Sequence, residues 1–201
     1  MRLRSSILAA IATLAVGATA AQAGSPPTVT TAPVIALDTF TPVPGASSTI
    51  VRTDNSANFR LNTSGLPAGH AITLWLVIFN NPTACAAAHA CDLPDLENPA
   101  TQASVIYGTG RVIGGLGTAH YAGHISVGNL NRPSSLPDEM QRVFGPGLTN
   151  ARGADLLLIV HDHFDARPGI IAQQIHSFGV GCPDNDGFKC IDRQASYNAG
   201  V

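Results

Sequence analysis

The sequence predicts an all-β fold, an antiparallel β-sandwich of Greek-key or jelly-roll kind with about eight or nine strands and little helix. Three observations carry that expectation. Short apolar or alternating runs recur between turn signals along the chain. Gly (20) and Pro (14) are abundant while charged residues are only 12% of the chain, the profile of short strands joined by many turns. A helix-period apolar stripe is missing, apart from one short stretch at Ser135 to Val143 that has a cap-like Ser and an early Pro.

The chain begins with Arg2 and Arg4, an apolar run from Ile7 to Ala20, and Ala21-Gln22-Ala23, a small-x-small cleavage pattern. Residues 1–23 are therefore expected to be a secretory signal peptide, and the mature protein to be secreted or periplasmic. No later run approaches the ~20 apolar residues of a membrane span. Beyond the signal, residues 24–47 read as an extended lead-in containing one strand at Val34 to Leu37, and residues 48–201 as a single domain. Without Arg2 and Arg4, nine basic residues stand against thirteen acidic ones, a formal charge of −4. With no basic run and no basic and aromatic interleaving, nucleic acid is excluded as a partner. The expected partner is an envelope or extracellular ligand whose identity the sequence does not give.

Four cysteines behind an export signal are expected to be oxidised. Of the three possible pairings, Cys85 with Cys91 and Cys182 with Cys190 is preferred, because each pair closes a short loop rich in Ala, Asp, Gly and Pro. A four-thiolate zinc site fits less well, since both spacings are wider than the usual knuckle.

Taken in order, Ser48 to Thr53 and Ala57 to Thr63 read as strands about an Asp54-Asn55-Ser56 turn. His70 to Asn80 is apolar on both faces, with Ile72, Leu74, Leu76 and Ile78 on one and Thr73, Trp75, Val77 and Phe79 on the other, so it is expected at the centre of a sheet. Asp92 to Glu97 reads as a solvated acidic turn without the calcium-loop pattern. Val105 to Tyr107 and Arg111 to Ile113 read as a hairpin joined by Gly108-Thr109-Gly110. Thr118 to Val127 and Ile170 to Phe178 read as further strands, and the Cys182 to Cys190 loop as the lead into a tail.

The strongest strand runs through Gly153 to His163, GADLLLIVHDH. Period two places Leu157, Ile159, His161 and His163 on one face and Leu156, Leu158, Val160 and Asp162 on the other. Two imidazoles two residues apart on a strand lie about 6.5 to 7 Å apart at the backbone, within reach of one metal ion. His161 and His163, completed by His120 or His124 from a neighbouring strand, are therefore the candidate metal ligands, with zinc or copper as the divalent ion. The competing reading is a hydrogen-bonded structural network. His120 and His124 are about 13 Å apart on a strand, too far to share an ion without a bulge at Gly123. His70, His89 and His176 read as isolated. Asp162 and Asp165 read as an ion pair with Arg167 rather than a catalytic carboxylate pair, and no G-x-S-x-G elbow occurs. The leading functional expectation is a non-catalytic binding module; the alternative is a metal-dependent enzyme, superoxide-dismutase-like or hydrolytic, using the histidines.

The runs Gly65-Leu66-Pro67-Ala68-Gly69-His70, Leu74 to Pro82 with Cys85, Gly147-Leu148-Thr149, Gly153-Ala154-Asp155 and Val160 to His163 resemble an uncharacterised family of exported bacterial proteins. The layout is also loosely similar to CHRD-type β-sandwich domains over most of residues 48–194, which implies an extracellular module. Copper-zinc superoxide dismutases share the H-x-H on a strand, and only His161 and His163 match. The strand after Leu66-Pro67 instead reads His70-Ala71-Ile72-Thr73, and no histidine-rich loop follows.

Overall fold

The computed structural model describes residues 25–128 and 142–201; the expected signal segment and most of the expected Ser135 to Val143 helix lie outside them. The described chain is all-β. Nine strands form it: β1 (Thr28–Ala36), β2 (Thr41–Arg52), β3 (Ser56–Thr63), β4 (His70–Phe79), β5 (Ala103–Val112), β6 (Ala119–Ser126), β7 (Arg142–Phe144), β8 (Asp155–Asp165) and β9 (Ile191–Asn198). They make one sheet in the order β6-β3-β2-β1-β9-β8-β4-β5-β7, antiparallel at every ladder.

That single sheet corrects the expected sandwich. β5 curls back to β6, where Arg111 Nη1 donates to the His120 carbonyl at 2.8 Å, so the sheet is a nearly closed barrel. A sandwich needs two sheets; here β9 stitches β1 to β8 and leaves only one.

Alternation decides which side chains fill the barrel. Ile72, Leu74, Leu76 and Ile78 of β4 meet Leu156, Leu158 and Val160 of β8, with Ile50, Phe59, Leu61, Ile106, Tyr121 and Ile125 from the other strands. Each such side chain, once fully buried, contributes roughly 1.5–3 kcal/mol. Leu66, from the loop that crosses from β3 to β4, closes one mouth, and Leu148, Ala151 and Ala154 close the other.

The glycines of β5 serve close approach, not a turn. Residues 103–112 are one strand paired along β4, with a register shift at Leu74/Trp75, where a hairpin was expected. A side chain at Gly108 would crowd Leu76 and Phe59, and one at Gly110 would strike the Ile175 carbonyl. On β6, Gly123 lies opposite Phe59 in register, and its missing side chain leaves the room that the Phe59 ring occupies.

The opposite faces of β4, β5 and β8 carry a second apolar cluster, including Trp75, Val77, Phe79, Tyr107 and Ile159. Trp75 meets Tyr107 and Phe178 edge-on, with centroids 5.6 and 5.2 Å apart. Two disulfide-closed excursions, residues 80–102 and 166–190, cover this face, and Cys85 is bonded to Cys91 and Cys182 to Cys190 as expected.

Three further expectations are corrected. Ile170 to Phe178 is not a strand but a short helix, α1 (Ile171–Gln174), followed by irregular chain. The buried Gln174 amide holds it there, accepting from Arg167 N at 2.8 Å and donating to the Asp165 carbonyl at 3.1 Å. The segment after Cys190 is not a tail but β9, and the 24–47 lead-in contains β1 and the start of β2.

Candidate functional site

β8 presents the two histidines as its alternation requires. His161 and His163 leave the outer face with ring centroids 5.0 Å apart and planes at 81°, and both are buried under the 166–190 excursion. His161 stacks on Phe178 at 5.0 Å. Its Nδ1 lies 2.6 Å from Asp192, its register partner on β9, and its Nε2 lies 3.1 Å from the Phe178 carbonyl. Both neighbours are acceptors, so both hydrogen bonds form together only when the ring carries two protons.

His163 is fully buried. Its Nδ1 is 2.9 Å from the Val180 carbonyl, an acceptor only, so that nitrogen carries the proton. Its Nε2 then accepts from the Thr73 hydroxyl at 2.9 Å, and Thr73 in turn accepts the Trp75 indole N–H at 2.9 Å. The chain from Trp75 through Thr73 and His163 to Val180 is satisfied at every step. Burial first, and then the neighbouring His161, push the His163 pKa down to about 4, so the ring stays neutral near pH 7. Both cysteine sulfurs of the 182–190 bridge stand 3.6 Å from His163 Nδ1.

The expected completing ligands lie elsewhere. His120 and His124 are exposed on β6, where Nδ1 of each meets its register partner on β3: Asn62 at 2.8 Å and Asn58 at 2.9 Å. Strands β3, β2, β1 and β9 separate β6 from β8 along the ladder, and β5 and β4 lie between them across the β5–β6 closure, so these two are not brought to His161 and His163. Of the isolated histidines, His70 Nδ1 lies 3.0 Å from Asp162, and His89 Nδ1 lies 3.3 Å from Asp155. His176 Nδ1 donates to the Ala172 carbonyl at 2.7 Å.

The carboxylates also differ from expectation. Asp162 is buried inside the barrel, held by His70, by Arg193 Nε at 2.8 Å and by the Phe164 N–H at 2.8 Å. Arg167 pairs with neither Asp162 nor Asp165; it donates to the Gly181 carbonyl at 3.0 Å. Asp95, expected in a solvated acidic turn, is buried, and its carboxylate accepts from the Ala86 and Asp92 N–H groups at 2.9 and 3.0 Å. Those backbone donors hold its pKa below the usual carboxylate range.

Beside the histidines lies a cleft of about 240 Å³. Its floor is Trp75, Val77 and Ile159, and its walls come from Leu93 and Leu96 on one excursion and Phe188 on the other. His161 and Asp192 form its polar end. Phe188 is 82% exposed and Leu93 48% exposed at its edge.

Sequence reasoning missed Thr73, Asp192 and Phe188. Thr73 had a signal: it is the polar residue in the otherwise apolar run from Ala71 to Phe79, opposite His161 in register. Asp192 and Phe188 had none, because their places depend on β9 and on how the disulfide loop folds back.

Comparison of the chain with protein-family models, curated proteins and solved structures finds no match.

Proposed function

We propose that the protein is an exported, disulfide-stapled β-barrel that works as a non-catalytic binding module in the periplasm or outside the cell. The N-terminal signal pattern, the two bonded cysteine pairs and the CHRD-like resemblance support that placement. Among the described residues no helix is long and apolar enough to cross a membrane.

The observation that carries a binding role is the cleft between the two disulfide loops, apolar on floor and walls, with His161 and Asp192 at one end. Its volume of about 240 Å³ falls just below the range of roughly 300–1,000 Å³ typical of pockets for drug-sized ligands. The fitting occupant is therefore a small apolar molecule of one or two rings with a single hydrogen-bonding group. A metal-enzyme reading that needs His120 or His124 draws no support from their positions on β6.

The chain has one tryptophan, Trp75, and it forms part of the cleft floor. Titration with the neutral two-ring probe 1-naphthylamine, followed by the quenching of Trp75 fluorescence, tests the reading. Saturable one-to-one binding, weakened at least about tenfold by Leu96→Asp, is expected. Absence of saturable binding, or binding indifferent to that change in a folded variant, would overturn it.

A further inference from the structure

We propose that the Cys182–Cys190 disulfide locks a zinc site: once reduced, the two thiolates take one zinc ion together with His163 and His161. The proposal goes beyond the cleft reading and does not depend on it.

The geometry is the starting point. His163 Nδ1 stands 3.6 Å from Cys182 Sγ and 3.6 Å from Cys190 Sγ. A tetrahedral zinc with arms of about 2.05 Å to nitrogen and about 2.3 Å to sulfur separates those atoms by ~3.6 Å. The nitrogen therefore stands at the zinc-ligand distance from each sulfur, and the Val180 carbonyl that Nδ1 now meets at 2.9 Å must turn aside as the ion enters. Ligand atoms of His161, His163 and Cys190 lie within 4.8 Å of one another. His161, His163 and Cys182 are buried, so the ion would be shielded from water.

Outer partners are also in place. Asp192 on His161 Nδ1, at 2.6 Å, is the carboxylate–histidine arrangement that stands behind many zinc ligands, and it makes Nε2 the nitrogen for the ion once the 3.1 Å contact of Nε2 with the Phe178 carbonyl is given up. Thr73 on His163 Nε2, at 2.9 Å, accepts the proton that ring must carry there once Nδ1 binds metal. The second cysteine pair lacks such a shell. Beside Cys85 and Cys91, the carboxylate of Asp95 is occupied by two backbone N–H groups, and among the described residues no imidazole joins the group.

The step balances as follows in atoms and electrons. An external dithiol supplies two electrons and two protons to the S–S bond, becomes a disulfide itself and leaves two thiols. Zinc then displaces both thiol protons. His163 moves its proton from Nδ1 to Nε2, and His161 keeps a proton on Nδ1 toward Asp192 and offers Nε2, so the two thiol protons leave for one ion bound. The sulfurs must part from a bonded ~2.0 Å to ~3.8 Å. Two short 3-10 turns, Pro183–Asn185 and Gly187–Lys189, make up the loop that yields.

The test uses the full mature chain, reduced anaerobically with a phosphine, and Co²⁺ as the probe. The reduced protein is expected to bind one Co²⁺ with a thiolate charge-transfer band in the near ultraviolet and tetrahedral ligand-field bands in the visible. The oxidised protein is expected to bind none. The Cys182→Ser/Cys190→Ser protein should lose the charge-transfer band. His163→Gln, which keeps both cysteines, should weaken Co²⁺ at least about tenfold. Persistence of the band without Cys182 and Cys190 would move the metal to Cys85 and Cys91 and overturn the proposal. So would an absence of Co²⁺ binding by the reduced chain, or loss of its β-sheet circular dichroism on reduction.

Discussion

Thr73 and His163, 90 residues apart in sequence, are joined by a 2.9 Å hydrogen bond across the outer faces of β4 and β8. Thr73 is fully buried and also accepts from Trp75 at 2.9 Å, so one hydroxyl satisfies two larger groups. Thr73→Val keeps the shape and removes both partners, leaving the indole N–H and the imidazole Nε2 unpaired. A loss of about 2–4 kcal/mol is expected, read as a lower urea midpoint at unchanged slope. Thr73→Ser restores most of it; equal losses in the two variants would show that the hydroxyl is not what matters.

Acid should weaken the oxidised, metal-free fold through His163. Its pKa is pushed down to about 4 in the folded state, from an ordinary 6.5. Between those values the unfolded chain binds a proton that the folded chain does not, so stability falls as pH drops from 6.5 toward 4 and levels off for this group below that. The full effect is on the order of 3 kcal/mol. Denaturation midpoints measured across that window should flatten in His163→Gln; an unchanged slope would assign the acid sensitivity to other groups.

Phe59 and Gly123 face each other in register, and the ring fills the space beside the glycine. Gly123→Ala drives a methyl group into that ring and is expected to cost about 1–3 kcal/mol. Phe59→Leu should make the alanine tolerable, so the double variant loses less than the two single losses together, with a coupling of at least ~0.5 kcal/mol. Additive losses in thermal or urea unfolding would place the Phe59 ring elsewhere.

Arg52 is buried at the barrel end closed by residues 145–154. Its guanidinium donates to the carbonyls of Ala151 at 3.2 Å, Asn198 at 3.1 Å and Ala199 at 3.3 Å. Burial lowers its pKa to about 10, with Asp155 acting the other way, so it stays charged at neutral pH. Arg52→Met removes a donor from three carbonyls and is expected to cost roughly 2–4 kcal/mol. Lysine offers a point charge in place of a planar fork, so Arg52→Lys should recover less than half of that loss. Complete rescue by lysine in chemical denaturation would count against the three-carbonyl geometry.

How much of this was legible follows from where the apolar signal lies. β4 and β8 read correctly because both are apolar on both faces, and the common face of His161 and His163 follows from period two alone. β9 did not, because Ile191–Asn198 is mostly polar. Its inward side chains are buried by hydrogen bonding instead: Ser196 reaches Ser48 at 2.7 Å, and Gln194 donates to the Ser64 carbonyl at 2.8 Å. Asn198 donates to Ser48 at 2.7 Å. With β9 unseen, the sheet could not be closed on paper, and a barrel looked like a sandwich. Gly108 and Gly110 misled for a related reason, since a glycine needed for close contact looks the same in sequence as one needed for a turn. The nearness of Cys182 and Cys190 to His163 was hidden because loop folding, not spacing, creates it.

β9 lies between β1 and β8, so without it the ladder splits into β6-β3-β2-β1 and β8-β4-β5-β7, each with a raw edge. A chain emerging amino end first cannot join β1 to β8 until β9 arrives, when Ile35 and Ala36 at last find Ala195 and Gln194. Such distant pairing makes folding slow and leaves the waiting edges open to other chains. Deleting β9 should therefore yield aggregates rather than a smaller folded protein.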